Sequence, residues 1–115
     1  MHPKEPLTPA VFHILLSLAD GEKHGYGIMQ EVAGRTNDAV IMGPGTLYGT
    51  LKRMLEARLV EESGERPDPA LDDKRRRYYR LTRPGHRAAV QEAERLEALV
   101  RAARAKSLLK RPQRA

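Results

Sequence analysis

The sequence predicts a mainly α (α+β) fold, and three observations carry that prediction. Three short segments place apolar residues at helical spacing, two short strand-like runs flank a polar stretch containing Gly and Pro, and a final long segment is free of both breakers from Ala88 to Arg111. At 115 residues the chain can bury one modest core. One Phe, four Tyr and no Trp leave that core to Leu, Val, Ile, Met and Ala, which suits packed helices better than a large sheet.

Each element has its own signal. Thr8 followed by Pro9 is an N-cap hydroxyl before a proline at the first helical position, so a helix is predicted from Pro9 to about Ala19. Phe12, Leu15, Leu16 and Ala19 form its apolar stripe, and Asp20-Gly21 stops it. After a polar turn at Glu22-Lys23-His24, Gly25-Tyr26-Gly27 opens a second helix that buries Ile28, Met29, Val32 and Ala33 and ends at Gly34. Asn37 to Met42 reads as extended. The third helix, Thr46 to Ala57, carries Leu47, Leu51, Met54 and Leu55 at i, i+4, i+7 and i+8. Two strands, Leu59 to Glu62 and Arg76 to Leu81, bracket the polar loop Ser63 to Arg75. Thr82 caps a last helix that tolerates Pro84 in its first turn and meets no further Gly or Pro from Ala88 until Pro112. Three helices followed by a two-stranded hairpin is the order of a winged helix-turn-helix, here with a C-terminal helix appended. The expected division is a winged-helix domain at 8–82, a dimerisation helix at 83–110, and flexible termini at 1–7 and 111–115.

Charge and composition narrow the function. A net charge of +6 and a pI near 10.0 give a surface that attracts polyanions, among which nucleic acid is the commonest partner. The absence of Cys excludes disulfides, thiolate metal sites and cysteine nucleophiles, and fits a reducing compartment. The polar N-terminus and an apolar run (Val11 to Ala19) broken by His13 and Ser17 predict neither signal peptide nor membrane span, so a soluble cytoplasmic protein is expected. His2, His13, His24 and His86 lie at no metal-binding spacing, and no G-x-S-x-G occurs. Gly43-Pro44-Gly45 with Gly49 misses the dinucleotide fingerprint, since its last glycine comes one position late. The expectation is a non-enzyme without metal or cofactor.

With its apolar stripe inward, the third helix presents Gly45, Thr46, Gly49, Lys52, Arg53 and Glu56, with Tyr48 and Thr50 at the borders. Small residues near its N-terminus permit close approach to duplex DNA, the cations can hold phosphates, and the free N–H groups favour an anion. The alternative is a solvated face of mixed charge. The hairpin adds Lys74, Arg75, Arg76 and Arg77, which can grip phosphates or equally keep an edge strand soluble. Alternation assigns Tyr79 and Leu81 to the core and Tyr78 and Arg80 to the other face. In the last helix Ala89, Ala93, Leu96, Val100 and Ala103 alternate at spacings of four and three, with Leu99 widening the seam. Pairing with a second copy covers such a seam and matches a palindromic operator, while folding back on its own head is the other solution. The tail with Lys106, Lys110, Arg111 and Arg114 is expected to be solvated.

These residues resemble the PadR-type transcriptional regulators. The matching stretches are His24-Gly25-Tyr26-Gly27-Ile28, Gly43-Pro44-Gly45-Thr46-Leu47-Tyr48 leading into Leu51-Lys52-Arg53-Met54, and Arg76-Arg77-Tyr78-Tyr79-Arg80-Leu81-Thr82 with Gly85 behind it. The resemblance implies that Thr46, Tyr48, Lys52 and Arg53 belong to a recognition helix and Arg75 to Arg77 to a wing. It implies a compact member that pairs through its single C-terminal helix, represses a nearby promoter, and releases it when a small molecule binds near the dimer interface. Gly49 stands where proline is common, Arg58 stands where glycine usually closes the recognition helix, and the seam has no large aromatic. The rival expectations are a winged-helix module that binds protein, and a metal or small-molecule sensor with DNA as its readout.

Overall fold

The computed structural model describes residues 6–67 and 75–110. Its elements are α1 (Pro9–Leu18), β1 (Lys23–His24), α2 (Gly25–Arg35), α3 (Pro44–Glu56), β2 (Val60–Pro67), β3 (Arg75–Leu81) and α4 (Arg83–Ala105). The three strands form one antiparallel sheet in the order β1-β3-β2. The sheet and α1 to α3 enclose one core, built from residues such as Ile14, Leu15, Ile28, Val32, Leu47, Leu51, Met54 and Val60. This is the winged-helix architecture, with the wing enlarged by a third short strand.

Thr8 and Thr82 cap α1 and α4 as their residue type favours, and His24 supplies a less usual cap to α2. Thr8 accepts the Val11 N–H at 3.3 Å, His24 Nδ1 accepts that of Gly27 at 2.9 Å, and Thr82 Oγ1 accepts that of Gly85 at 3.0 Å. Four sequence expectations need correction. The buried face of α1 is Val11, Ile14, Leu15 and Leu18, whereas Leu16 and Ala19 are exposed and Phe12 is only half-buried. This helix is apolar on two adjacent faces, so periodicity alone could not choose between them. Lys23-His24 is a strand instead of a turn, because β3 offers a free edge: Lys23 pairs with Tyr79 and His24 with Tyr78. Residues 37–40 form a turn and a bend instead of an extended stretch. Asn37 and Asp38 take left-handed conformations (φ 51° and 64°), as Asn and Asp readily do, and α2 runs on to Arg35. Finally, β2 continues to Pro67 through a bulge between Glu62 and Gly64, where Gly64 has φ +124°.

The end of α3 and the start of α4 are joined by close backbone contacts. After Ala57, Arg58 turns left-handed (φ 59°), and the Leu59 N–H bonds to Met54 O while the Arg58 N–H bonds to Leu55 O. Thr82 then ties α4 to this turn, its N–H donating to Leu59 O at 3.1 Å and its hydroxyl to Arg58 O at 2.6 Å. A left-handed arginine is strained where glycine would not be, so Arg58→Gly should stabilise the fold by about 0.5–1 kcal/mol, net of glycine's extra unfolded-state entropy. Chemical denaturation with an unchanged slope would check this, and an Arg58→Gly variant no more stable than the parent would contradict it.

Two polar anchors hold the outer layers. Arg35 reaches from α2 to His13 O at 3.1 Å and to the buried Ser17 Oγ at 3.2 Å. Leu7, just before α1, packs on the core and donates its N–H to Glu92 Oε1 of α4 at 3.4 Å. The Arg95 hydrogen bond holds the Glu92 carboxyl below its ordinary range, and partial burial with the nearby Arg35 charge lowers the His13 imidazole. A group with a lowered folded pKa binds protons more readily when unfolded, so stability falls as pH drops. The decline should begin as pH falls through the ordinary imidazole range and resume as it falls through the ordinary carboxylate range. Melting temperature measured against pH would show the two steps.

Candidate nucleic-acid interface

The face that α3 turns outward is small at its start and cationic at its end. Pro44 occupies its first turn, Gly45 and Thr46 are exposed, Tyr48 is 48% exposed, and Lys52, Arg53 and Glu56 are exposed beyond them. Leu47, Leu51 and Met54 are buried on the opposite side, while Leu55 is only half-buried. Thr50, placed by sequence at the border of the face, is buried. Its hydroxyl donates to Thr46 O at 2.7 Å and accepts from Arg53 Nη2 at 3.3 Å. Arg53 is thereby drawn back along the helix over Gly49, where a Cβ would sit 3.9 Å from its Nη1. Among the described residues no carboxylate pairs with Lys52 or Arg53, so both charges are available to a phosphate.

A second group of residues extends this face beyond the sequence expectation. Gly25, the first residue of α2, is buried, and a Cβ there would lie 2.5 Å from Tyr48 Oη. Only glycine lets the Tyr48 ring rest on that helix end. Next to it, the Arg76 guanidinium lies 4.9 Å from the centroid of the Tyr26 ring, and Arg76 Nη1 is 3.0 Å from His24 Nδ1. That ring nitrogen also accepts the Gly27 N–H, so it is the acceptor of both bonds. The His24 ring meets Tyr78 edge-on at 5.3 Å. Tyr26, half-exposed, was assigned no role from sequence. A tyrosine directly after the capping histidine and a buried glycine was the available signal.

The wing departs from a simple row of cations. Lys74 lies outside the described residues, and of Arg75 only its backbone in β3 is described. Arg76 faces α2 as above. Arg77 lies 3.6 Å from Glu62 and 3.5 Å from Glu65, and Arg80 lies 2.8 Å from Glu61. Carboxylates of β2 therefore offset the charges of Arg77 and Arg80 on β3, whereas Lys52 and Arg53 of α3 face no such partner among the described residues.

The seam of α4 divides into two halves. Ala88 and Ala89 pack against the head and Leu96 is half-buried, with Glu92 buried among them. Farther along, Ala93 is exposed, as are Leu99 (55%) and Val100 (37%), and Ala103 is half-covered by the turn in which the Leu108 N–H bonds to Ala103 O. None of the described helices is long and apolar enough to cross a membrane, and among the described residues no three His, Asp or Glu are grouped to hold a metal.

Against this geometry, residues 14–91 match the profile described as the Transcriptional regulator PadR-like family. The chain belongs to that family. A transcriptional regulator of Mycobacterium tuberculosis, Rv3488, is 39% identical over 89 residues, 77% of each chain. The PadR-like fold recurs in a PadR family transcription regulator of Clostridium difficile, with a TM-score of 0.71 at 22% identity, covering 84% of this chain and 96% of that one. Bacillus subtilis PadR in complex with operator DNA aligns with a TM-score of 0.60 at 17% identity, over 91% of this chain and 49% of that one. The PadR-like chain is thus a transcriptional regulator by family, with the mainly α winged-helix fold expected from its sequence.

Proposed function

We propose that this PadR-like regulator is a homodimeric, sequence-specific repressor that docks α3 into the major groove of a palindromic operator and leaves it when a small-molecule effector binds. The observation that carries the reading is the outward face of α3, where Gly45 and Thr46 permit close approach and Lys52 and Arg53 stand ready for phosphates. Tyr48, Tyr26 and Arg76 continue that face across α2 and the wing strand. The exposed C-terminal half of the α4 seam supports pairing with a second copy, which would set two α3 helices against two half-sites. An open groove of about 800 Å³ between α1, β3 and the start of α4 supports the effector. Leu18 and Leu81 line it with Arg83, His86, Arg87 and one carboxylate, Glu22, so its apolar floor and excess of cations suit a small aromatic acid.

Gel-shift titration on duplexes selected from a random pool tests the reading. Lys52→Ala should weaken binding to all sequences and flatten the slope of log affinity against log salt by about one unit. Unchanged affinity in that variant would remove α3 from the interface. Adding aromatic acids to the preformed complex should release the duplex, and retention throughout the series would remove the effector while leaving the DNA reading intact.

A further inference from the structure

The head holds one aliphatic side chain far out in solvent. Ile41 is 74% exposed, against 50% for Tyr26, 48% for Tyr48, 40% for Leu16 and 36% for Val40, the other exposed large hydrophobics of the described head. A mobile loop would explain this at little cost, but the backbone here is fixed on both sides. Upstream, Asp38 N–H bonds to Ala33 O at 2.8 Å, Ala39 N–H to Thr36 O at 3.0 Å, and Val40 N–H to Thr36 Oγ1 at 3.0 Å. The same Thr36 hydroxyl donates to Val32 O at 2.9 Å. Downstream, Met42 is buried in the core (6% exposed) and Gly43 begins the cap of α3. A locked backbone therefore presents Ile41 two residues ahead of the helix cap.

We infer that Ile41 is a specificity-determining residue that packs on the 5-methyl group of a thymine in the operator. The inference rests on the docking of α3 proposed above and adds a base-reading contact to it. Met42, Gly43, Pro44 and Gly45 separate Ile41 from Thr46; Met42 turns into the core, and open space surrounds the positions where side chains on the two glycines would stand. Ile41, exposed and two residues ahead of the Gly43 cap, therefore lies close along the chain to the helix start that the proposed docking brings into the groove. An isoleucine has no donor or acceptor, so it reads no polar base edge. The apolar feature of the major groove is the thymine methyl, which uracil lacks.

The test compares the full-length protein with its Ile41→Ala variant on a selected operator and on duplexes in which each symmetric thymine pair is replaced by deoxyuridine. Wild type should lose about fourfold in affinity per half-site at one thymine position, the worth of one buried methyl-sized group. Ile41→Ala should lose as much on the thymine duplex, keep the parent melting temperature, and be indifferent to uracil at that position alone. Unchanged binding by Ile41→Ala, or full sensitivity to uracil in the variant, would overturn the inference. If wild type retains no selected duplex at all, the docking of α3 falls first.

Discussion

Gly85→Ala is expected to destabilise the protein by about 3 kcal/mol, at the upper end of what overpacking a core usually costs. A Cβ at this buried position would overlap the carbonyl oxygen of Leu59, with the carbonyl carbon only 2.8 Å away. Both groups are backbone, so no side-chain rotation relieves the clash. The α4 helix would have to lift from the turn that follows α3, and it would take with it the Thr82 bonds to Gly85 N–H and Arg58 O. At about 4–8 °C per kcal/mol for a domain of this size, the melting temperature should fall by more than about 10 °C. His86→Ala, one residue farther on and exposed, should move it by less than about 2 °C. A Gly85→Ala protein that melts like its parent would mean that α4 is not seated on Leu59. The same contact explains why a glycine follows the Tyr-Arg-Leu-Thr run. It is the point at which the exit of α3 and the start of α4 touch backbone to backbone.

Much of this architecture was legible in the sequence because its signals are local. Thr8-Pro9 and Thr82 cap the helices they announced, and the Leu47, Leu51 and Met54 stripe put Thr46 and Lys52 outside. What escaped depends on contacts distant in sequence. The pairing of Lys23-His24 with Tyr78 and Tyr79 spans some 55 residues and leaves no periodic mark in a two-residue strand. The inward turn of Thr50 is set by a hydrogen bond to Thr46 O, which lets a hydroxyl be buried at no loss. The choice between the two apolar faces of α1 belongs to the tertiary core, since each face satisfies helical spacing. The exposed face of α3 was legible in the same measure. Thr46, Tyr48, Lys52 and Arg53 emerge on one exposed helix, but Tyr26 joins them only through the fold. The partners of Arg77 were likewise hidden, because Glu62 and Glu65 face it across the ladder and not along the chain.

The largest expected loss of DNA affinity lies outside the DNA-facing surface, in Leu99→Glu. In a single copy Leu99 is more than half exposed and Val100 more than a third, so a carboxylate there meets water and should leave the fold of one chain unharmed. In the proposed dimer the same change sets two carboxylates close together in an apolar seam, where burying each costs several kcal/mol. The dimer should then come apart at working concentrations. Two α3 helices joined through α4 bind two half-sites with an effective concentration that separated chains lack, and the difference is on the order of 10²- to 10⁴-fold. Leu99→Glu should therefore sediment as a monomer, keep its helical circular dichroism, and lose at least about a hundredfold in operator affinity. Leu99→Met, which preserves volume and apolarity, should keep both assembly and affinity. The pair of variants separates a paired far half of the seam from a solvated one. A helix whose far half is merely solvated predicts that both behave as the parent does, whereas a paired helix predicts that charge alone uncouples the two heads.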